Sequence, residues 1–118
     1  MKALLMIAAL PGNREVVSQL LAERGLPCLT AANAREAEMQ LHAQQGVACV
    51  VVDATGFTAE LLQVCQRIVE QHIPLYWILP SAPQPGALAP PPGAAGVWHK
   101  PLALQPFLAA VRGCLESS

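Results

Sequence analysis

Residues 48–53 read Ala-Cys-Val-Val-Val-Asp, five apolar residues closed by the only aspartate in the 118-residue chain. Continuous apolarity, as opposed to alternation, marks a strand covered on both faces, as in a parallel sheet. A carboxylate at the C-terminal end of such a strand stands where open α/β sheets bind their ligands. Working outward from this stretch, the rest of the chain falls into strands and helices in alternation.

Upstream, residues 3–9 (Ala-Leu-Leu-Met-Ile-Ala-Ala) form a second continuous run. The first ten residues have the apolarity of a short signal peptide, but no small-residue cleavage site follows and Pro11-Gly12 interrupts them, so they read as a buried strand. Asn13 is placed to cap a helix running to about Arg24, with Val16, Val17, Leu20 and Leu21 on one stripe. Gly25 supplies a left-handed stop. Residues 27–31 make a weaker strand, expected near a sheet edge because it opens with Pro27. Asn33 and Glu36 resemble a capping box for a helix to about Gln45, which Gly46 ends.

Downstream, Thr58 is the expected cap of a third helix that buries Leu61, Leu62, Cys65, Ile68 and Val69. A fourth strand covers 75–79 (Leu-Tyr-Trp-Ile-Leu). Six of the 11 prolines then fall between Pro80 and Pro92, where each interior proline would cost a helix ~3 kcal/mol. Polyproline or irregular structure is expected over 80–92. Strand character returns at 96–99 (Gly-Val-Trp-His), followed by Lys100-Pro101, and Pro106 is placed as the first residue of a last helix carrying Phe107, Leu108, Val111 and Leu115 inward. The order predicts one doubly wound α/β domain over 1–118 with right-handed crossovers. Leu10-Pro11-Gly12 and Asp53 would share the carboxyl end of its sheet.

Composition narrows the function. Apolar residues make up 53% of the chain and charged residues 13%, about half the usual share, which excludes global disorder. A net charge of −1 offers no bulk attraction for nucleic acid or an anionic membrane, and no apolar run reaches the ~18 residues of a membrane span. Cys28, Cys49, Cys65 and Cys114 form no CxxC pair and lie in apolar stretches, which reads as buried thiols in a reducing cytoplasm. His42, His72 and His99 are equally scattered, so no zinc site is expected. Glycine-rich phosphate loops and a GxSxG elbow are absent, and the carboxylates are too dispersed for paired acid–base work. Trp77 and Trp98 read as packing residues within their strands.

The chain resembles the receiver domain of two-component response regulators along nearly its whole length. The resemblance rests on the Met-Lys-Ala-Leu-Leu start, Asp53 closing the third strand, Ile73-Pro74 opening the fourth, and Lys100-Pro101 after the fifth. It implies a flavodoxin-like five-stranded parallel sheet of order 2-1-3-4-5. It also implies a phosphoryl acceptor at Asp53, supplied by a kinase phosphohistidine, with phosphoryl contacts from Lys100 beside Pro101. Other positions of the pattern are changed. The acidic pair that would hold Mg²⁺ falls on Ala8 and Ala9, and the next position, often acidic too, on Leu10. The hydroxyl position falls on Leu79, with Ser81 as a substitute two residues on, and the aromatic switch position on Val97. The fourth helix falls on the proline run, which reads as a surface loop or, alternatively, as a preformed recognition segment.

Phosphoryl transfer to a carboxylate brings negative charges together, and a hard cation with oxygen ligands offsets them. With Ala8, Ala9 and Leu10 beside Asp53, Mg²⁺ binding is expected to be weak or absent, and Asp53 and Lys100 are expected to pair with each other. Glu15 is the acid nearest in sequence but is expected a turn into the first helix, and Glu60, early in the third helix, could approach the site only if the short loop 54–57 folds back. The expected function is a degenerate, non-enzymatic, cytoplasmic receiver that acts as a phosphorylation-independent interaction module. Its expected partner is a protein or a second copy of itself in a homodimer, with a sensor kinase or an output domain beyond the C-terminal Ser117-Ser118 as further candidates. The alternative is a working receiver phosphorylated on Asp53.

Overall fold

The computed structural model describes residues 2–42, 46–55, 59–79, 89–100 and 103–116. Within them the order is β1 (Ala3–Ala8), α1 (Pro11–Glu23), β2 (Cys28–Ala31), α2 (Ala34–Leu41), β3 (Val47–Asp53), α3 (Ala59–Glu70), β4 (Leu75–Leu79), β5 (Gly96–His99) and α4 (Leu104–Glu116). The strands form one sheet of order β2-β1-β3-β4-β5, with every neighbouring pair parallel.

Strand β3 is the centre of this sheet. Val50, Val51 and Val52 are fully buried, because successive side chains of β3 enter different cores. On one face Leu5, Ile7, Val50, Val52 and Trp77 pack against Ala37 of α2 and Leu61, Val64, Cys65 and Ile68 of α3. On the other, Leu4, Met6, Cys49, Val51 and Ile78 pack against Val17 and Leu21 of α1 and Phe107, Leu108, Val111 and Leu115 of α4. Each such fully buried aliphatic side chain contributes about 1.5–3 kcal/mol. Near the β5 edge Trp98 stacks on Tyr76 at 4.7 Å and meets Phe107 edge-on at 5.7 Å, which ties β4, β5 and α4 together.

The helix ends follow local chemistry. Asn33 accepts from the Glu36 N–H at 2.9 Å, and Glu36 reaches back to the Ala32 N–H at 2.9 Å, one residue earlier than in a strict capping box. Helix α2 ends at Leu41, short of the expected Gln45, and residues 43–45 lie outside the described ones. At the end of α1 the Gly25 N–H donates to the Ala22 carbonyl and the Leu26 N–H to the Leu21 carbonyl, a Schellman closure with Gly25 at φ 70°. Helix α3 closes in the same way on a non-glycine residue: His72 sits at φ 62°, and His72 and Ile73 donate to Val69 and Ile68.

Two expected helix starts are corrected. Helix α1 begins at Pro11, with Leu10 and not Asn13 as its cap, because proline already holds the φ of a first helical position. Helix α4 begins at Leu104, two residues before Pro106, which is accommodated in the first turn, where an N–H has no helical acceptor. The Thr58 cap lies outside the described residues, as do residues 80–88 of the proline run; residues 89–92 are described and contain no helix.

Candidate functional site

Asp53 ends β3 in register with Ala8 of β1 and Ile78 of β4. It is 3% exposed and is the one buried charged residue among the described residues. A buried carboxylate is stable only if its oxygens are hydrogen-bonded and its charge is met. Both conditions hold. Lys100 Nζ lies 2.8 Å from Oδ2, and Asn13 Nδ2 donates to the same oxygen at 2.9 Å. The Thr55 N–H donates to Oδ1 at 2.9 Å, an Asx-turn that folds the chain over its own carboxylate. Lys100 Nζ also reaches Thr55 Oγ1 at 3.3 Å. The lysine is fixed from behind, since its N–H donates to the Leu79 carbonyl at 3.0 Å and so extends the β4–β5 ladder by one residue. The expected pairing of Asp53 with Lys100 is therefore what the structure holds.

Arg14, in the first turn of α1, completes this end of the sheet. Its Nη1 donates to the Ala8 carbonyl at 2.6 Å and the Ala9 carbonyl at 3.0 Å. A cleft of about 260 Å³ opens beside Asp53, floored by Met6 and Ile78, walled by Val16 and Val17, and polar only at Asn13, Asp53 and Lys100.

Ala8 is fully buried, a methyl where the resemblance would have a carboxylate, and Ala9 is half-buried beside it. Leu79 is half-buried against the α2–α3 core and has no hydroxyl to offer. Val97 is 41% exposed at the sheet edge, and the aromatic of β5 is its neighbour Trp98, already stacked. Glu15 and Glu60 are exposed, and neither is a hydrogen-bond partner of Asp53. Ser81 and Pro101 lie outside the described residues.

Sequence reasoning missed Asn13, Arg14 and Thr55. Asn13 was spent on a cap that Pro11 makes unnecessary. Thr55 carried a usable signal, because an aspartate followed two residues later by a turn N–H is an Asx-turn pattern. Arg14 carried a subtler one: a cation in the first turn opposes the helix dipole, and that turn contains no acid to balance it.

The oxygens at this site do not fit a divalent metal. A hard cation takes several free oxygens, carboxylates foremost. Here the carbonyls of Ala8 and Ala9 already accept from Arg14, and both oxygens of Asp53 already accept from Lys100, Asn13 and Thr55. Among the described residues no group of three His, Cys, Asp or Glu side chains could hold a metal ion. The cysteines take no part in the site. Cys49 and Cys65 are buried and Cys28 and Cys114 half-buried. Burial pushes the Cys28 thiol up to about 11 and the Cys65 thiol to about 12, and raises that of Cys49 as well.

No family model matches this sequence, and no curated protein matches it. Solved structures do. A response regulator receiver domain protein from Clostridium thermocellum superposes with a TM-score of 0.76 at 18% identity, over 99% of this chain and 96% of its own. The receiver domain of NtrX from Brucella abortus gives 0.73 at 19%, over 98% and 99%. A response regulator receiver protein from Pseudomonas putida gives 0.73 at 18%, over 96% and 98%. The chain thus has the fold of a response-regulator receiver domain, with the flavodoxin-like strand order expected from the sequence.

Proposed function

We propose that this chain is a receiver-fold signalling module that acts without phosphorylation of Asp53. It regulates an output domain or a partner protein through contact, has no enzymatic activity of its own, and works in the cytoplasm. One observation carries the reading: the carboxylate that would accept a phosphoryl group is buried and both its oxygens are engaged, by Lys100, Asn13 and Thr55, with methyl groups where metal-binding carboxylates would stand. An incoming phosphoryl group would have to displace these donors and would meet no divalent cation to offset its charge. No helix among the described residues is long and apolar enough to cross a membrane.

The retained Asp53–Lys100 pair favours a second reading, in which Asp53 still accepts a phosphoryl group. Intact mass after incubation with acetyl phosphate and Mg²⁺ separates the two. The expected result is an unchanged mass. Stoichiometric, acid-labile addition of one phosphoryl group, absent from Asp53→Asn, would establish the second reading instead.

A further inference from the structure

Three of the four cysteines, Cys28, Cys49 and Cys114, belong to the core on one face of the sheet, and no disulfide joins them. We propose that Cys49 and Cys114 form a thiol pair that a low-molecular-weight disulfide oxidises to an intramolecular bond between β3 and α4. Cys49 stands near the start of β3 and Asp53 closes it, so the pair works independently of phosphorylation at Asp53.

Sheet register selects this pair. Cys28 of β2 and Cys49 of β3 are both in register with Leu4 of β1. Two strand spacings therefore separate them, roughly 9–10 Å between Cα atoms, beyond the ~7 Å that a disulfide spans. Cys28 is instead hydrogen-bonded to Ser18 of α1. Cys65 lies in the core on the opposite face. Cys114 is carried by α4, which packs on β1 and β3 with Cα atoms within 8 Å of theirs. Its thiol is the hydrogen-bonding neighbour of Cys49. Tyr76 holds it from the β4 side, with the hydroxyl 3.8 Å from Cys114 Sγ. Tyr76 is in register with Val51, whose side chain shares a face of β3 with Cys49.

Burial orders the chemistry. Cys114 is half-buried, whereas Cys49 is fully buried, and burial with the neighbouring Cys114 thiol raises the Cys49 thiol well above its ordinary range. Cys114 is therefore the residue that meets the oxidant. Its thiolate attacks one sulfur of the reagent disulfide, that S–S bond breaks, and the other half leaves as a small thiol with the proton. Cys49 then gives up its proton and attacks the Cys114 sulfur of the mixed disulfide, expelling the second small thiol. The protein loses two electrons and two protons, and the reagent gains both. The new bond pins α4 to the central strand and closes the segment from β3 through β5 into a loop, which stabilises the fold. In a reducing compartment it persists only while the oxidised reagent is in excess, which makes it a reversible mark and not a staple.

The test incubates the folded protein with glutathione disulfide, quenches with acid, and alkylates the unfolded chain with iodoacetamide before intact-mass and tryptic analysis. The wild type is expected to lose two alkylatable thiols and to yield a cross-link between the tryptic peptides 36–67 and 113–118. Peptide 36–67 contains both Cys49 and Cys65, so variants decide the partner. Cys65→Ala is expected to cross-link like the wild type. Cys49→Ala is expected to stop at a glutathione adduct on Cys114, with cross-linked product at least about tenfold lower. Cys114→Ala is expected to give neither product. Urea unfolding confirms that each variant is folded. The oxidised wild type is expected to unfold at higher urea than the reduced protein, a difference that dithiothreitol abolishes. Four alkylatable thiols in the treated wild type, a wild type that stops at the glutathione adduct, a cross-link that survives Cys49→Ala, or a bond to Cys28 in its place would overturn the inference.

Discussion

Removing Lys100 should cost more stability than removing the charge it neutralises. Lys100→Ala leaves the Asp53 side chain, 4% exposed, with two neutral donors and no countercharge. Breaking a fully buried pair from one side costs about 3–5 kcal/mol. The lysine side chain is 32% exposed, so water can enter its place and recover part of that loss. The expected cost is therefore about 2–3 kcal/mol. Asp53→Asn differs in kind. It removes the buried charge, keeps an oxygen for the Thr55 N–H, and leaves an ammonium group near enough to solvent to be hydrated, so about 0–1 kcal/mol is expected. In the Asp53→Asn background, Lys100→Ala should then cost less than about 0.5 kcal/mol, a coupling of about 2 kcal/mol between the two sites. At roughly 4 °C per kcal/mol for a domain of this size, Lys100→Ala lowers the melting temperature by about 8–12 °C. Urea unfolding followed by tryptophan emission is a suitable assay, because Trp77 is fully buried and Trp98 stacks on Tyr76 and meets Phe107 edge-on. A cost for Lys100→Ala no larger than that of Asp53→Asn, or strict additivity in the double variant, would refute this account of the site.

Three further outcomes follow from other parts of the fold. His72 holds the left-handed position that closes α3, so His72→Gly should stabilise the protein by about 1 kcal/mol, seen as a higher urea midpoint with an unchanged slope. Gly93 lies at φ 89° and a Cβ there would meet Val69 Cγ1 at 2.7 Å, so Gly93→Ala should lower the melting temperature through a loss of about 1–3 kcal/mol. Burial raises the thiols of Cys28 and Cys65 from 9.0 to about 11 and about 12, so the unfolded chain releases these protons first as pH rises. Stability should hold up to about pH 9 and then fall through pH 9–12, by at most about 1.4 kcal/mol per pH unit for each thiol, and Cys65→Ala should flatten the fall in urea midpoints.

The fold was legible because both faces of the sheet are covered. Such strands are unbroken apolar runs, and β1, β3 and β4 could hardly be read otherwise. Asn33 with Glu36 and Gly25 marked helix ends by chemistry that is local to a few residues. What escaped was chemistry that depends on tertiary approach. Asn13 lies 40 residues from Asp53 in sequence, and its amide could equally cap a helix or meet a carboxylate until the helix start was fixed by Pro11. Asp53 and Lys100 were found because their places in the strand order were recognisable. Arg14 was missed because its acceptors are backbone carbonyls, which leave no trace in side-chain identity.

The reach of Lys100 has a consequence beyond the charge of Asp53. The lysine follows β5, its partner ends β3, and β4 lies between them, so a single side chain bridges three strands. The sheet order places the four-residue β5 at the edge, where an unzipping strand would offer bare N–H and C=O groups to any other chain. Peeling β5 away requires the lysine to leave its carboxylate first. The residue that resembles a phosphoryl contact is, in mechanical terms, a latch on the edge strand, guarding this domain against strand exchange and fibril-like pairing in a crowded solution.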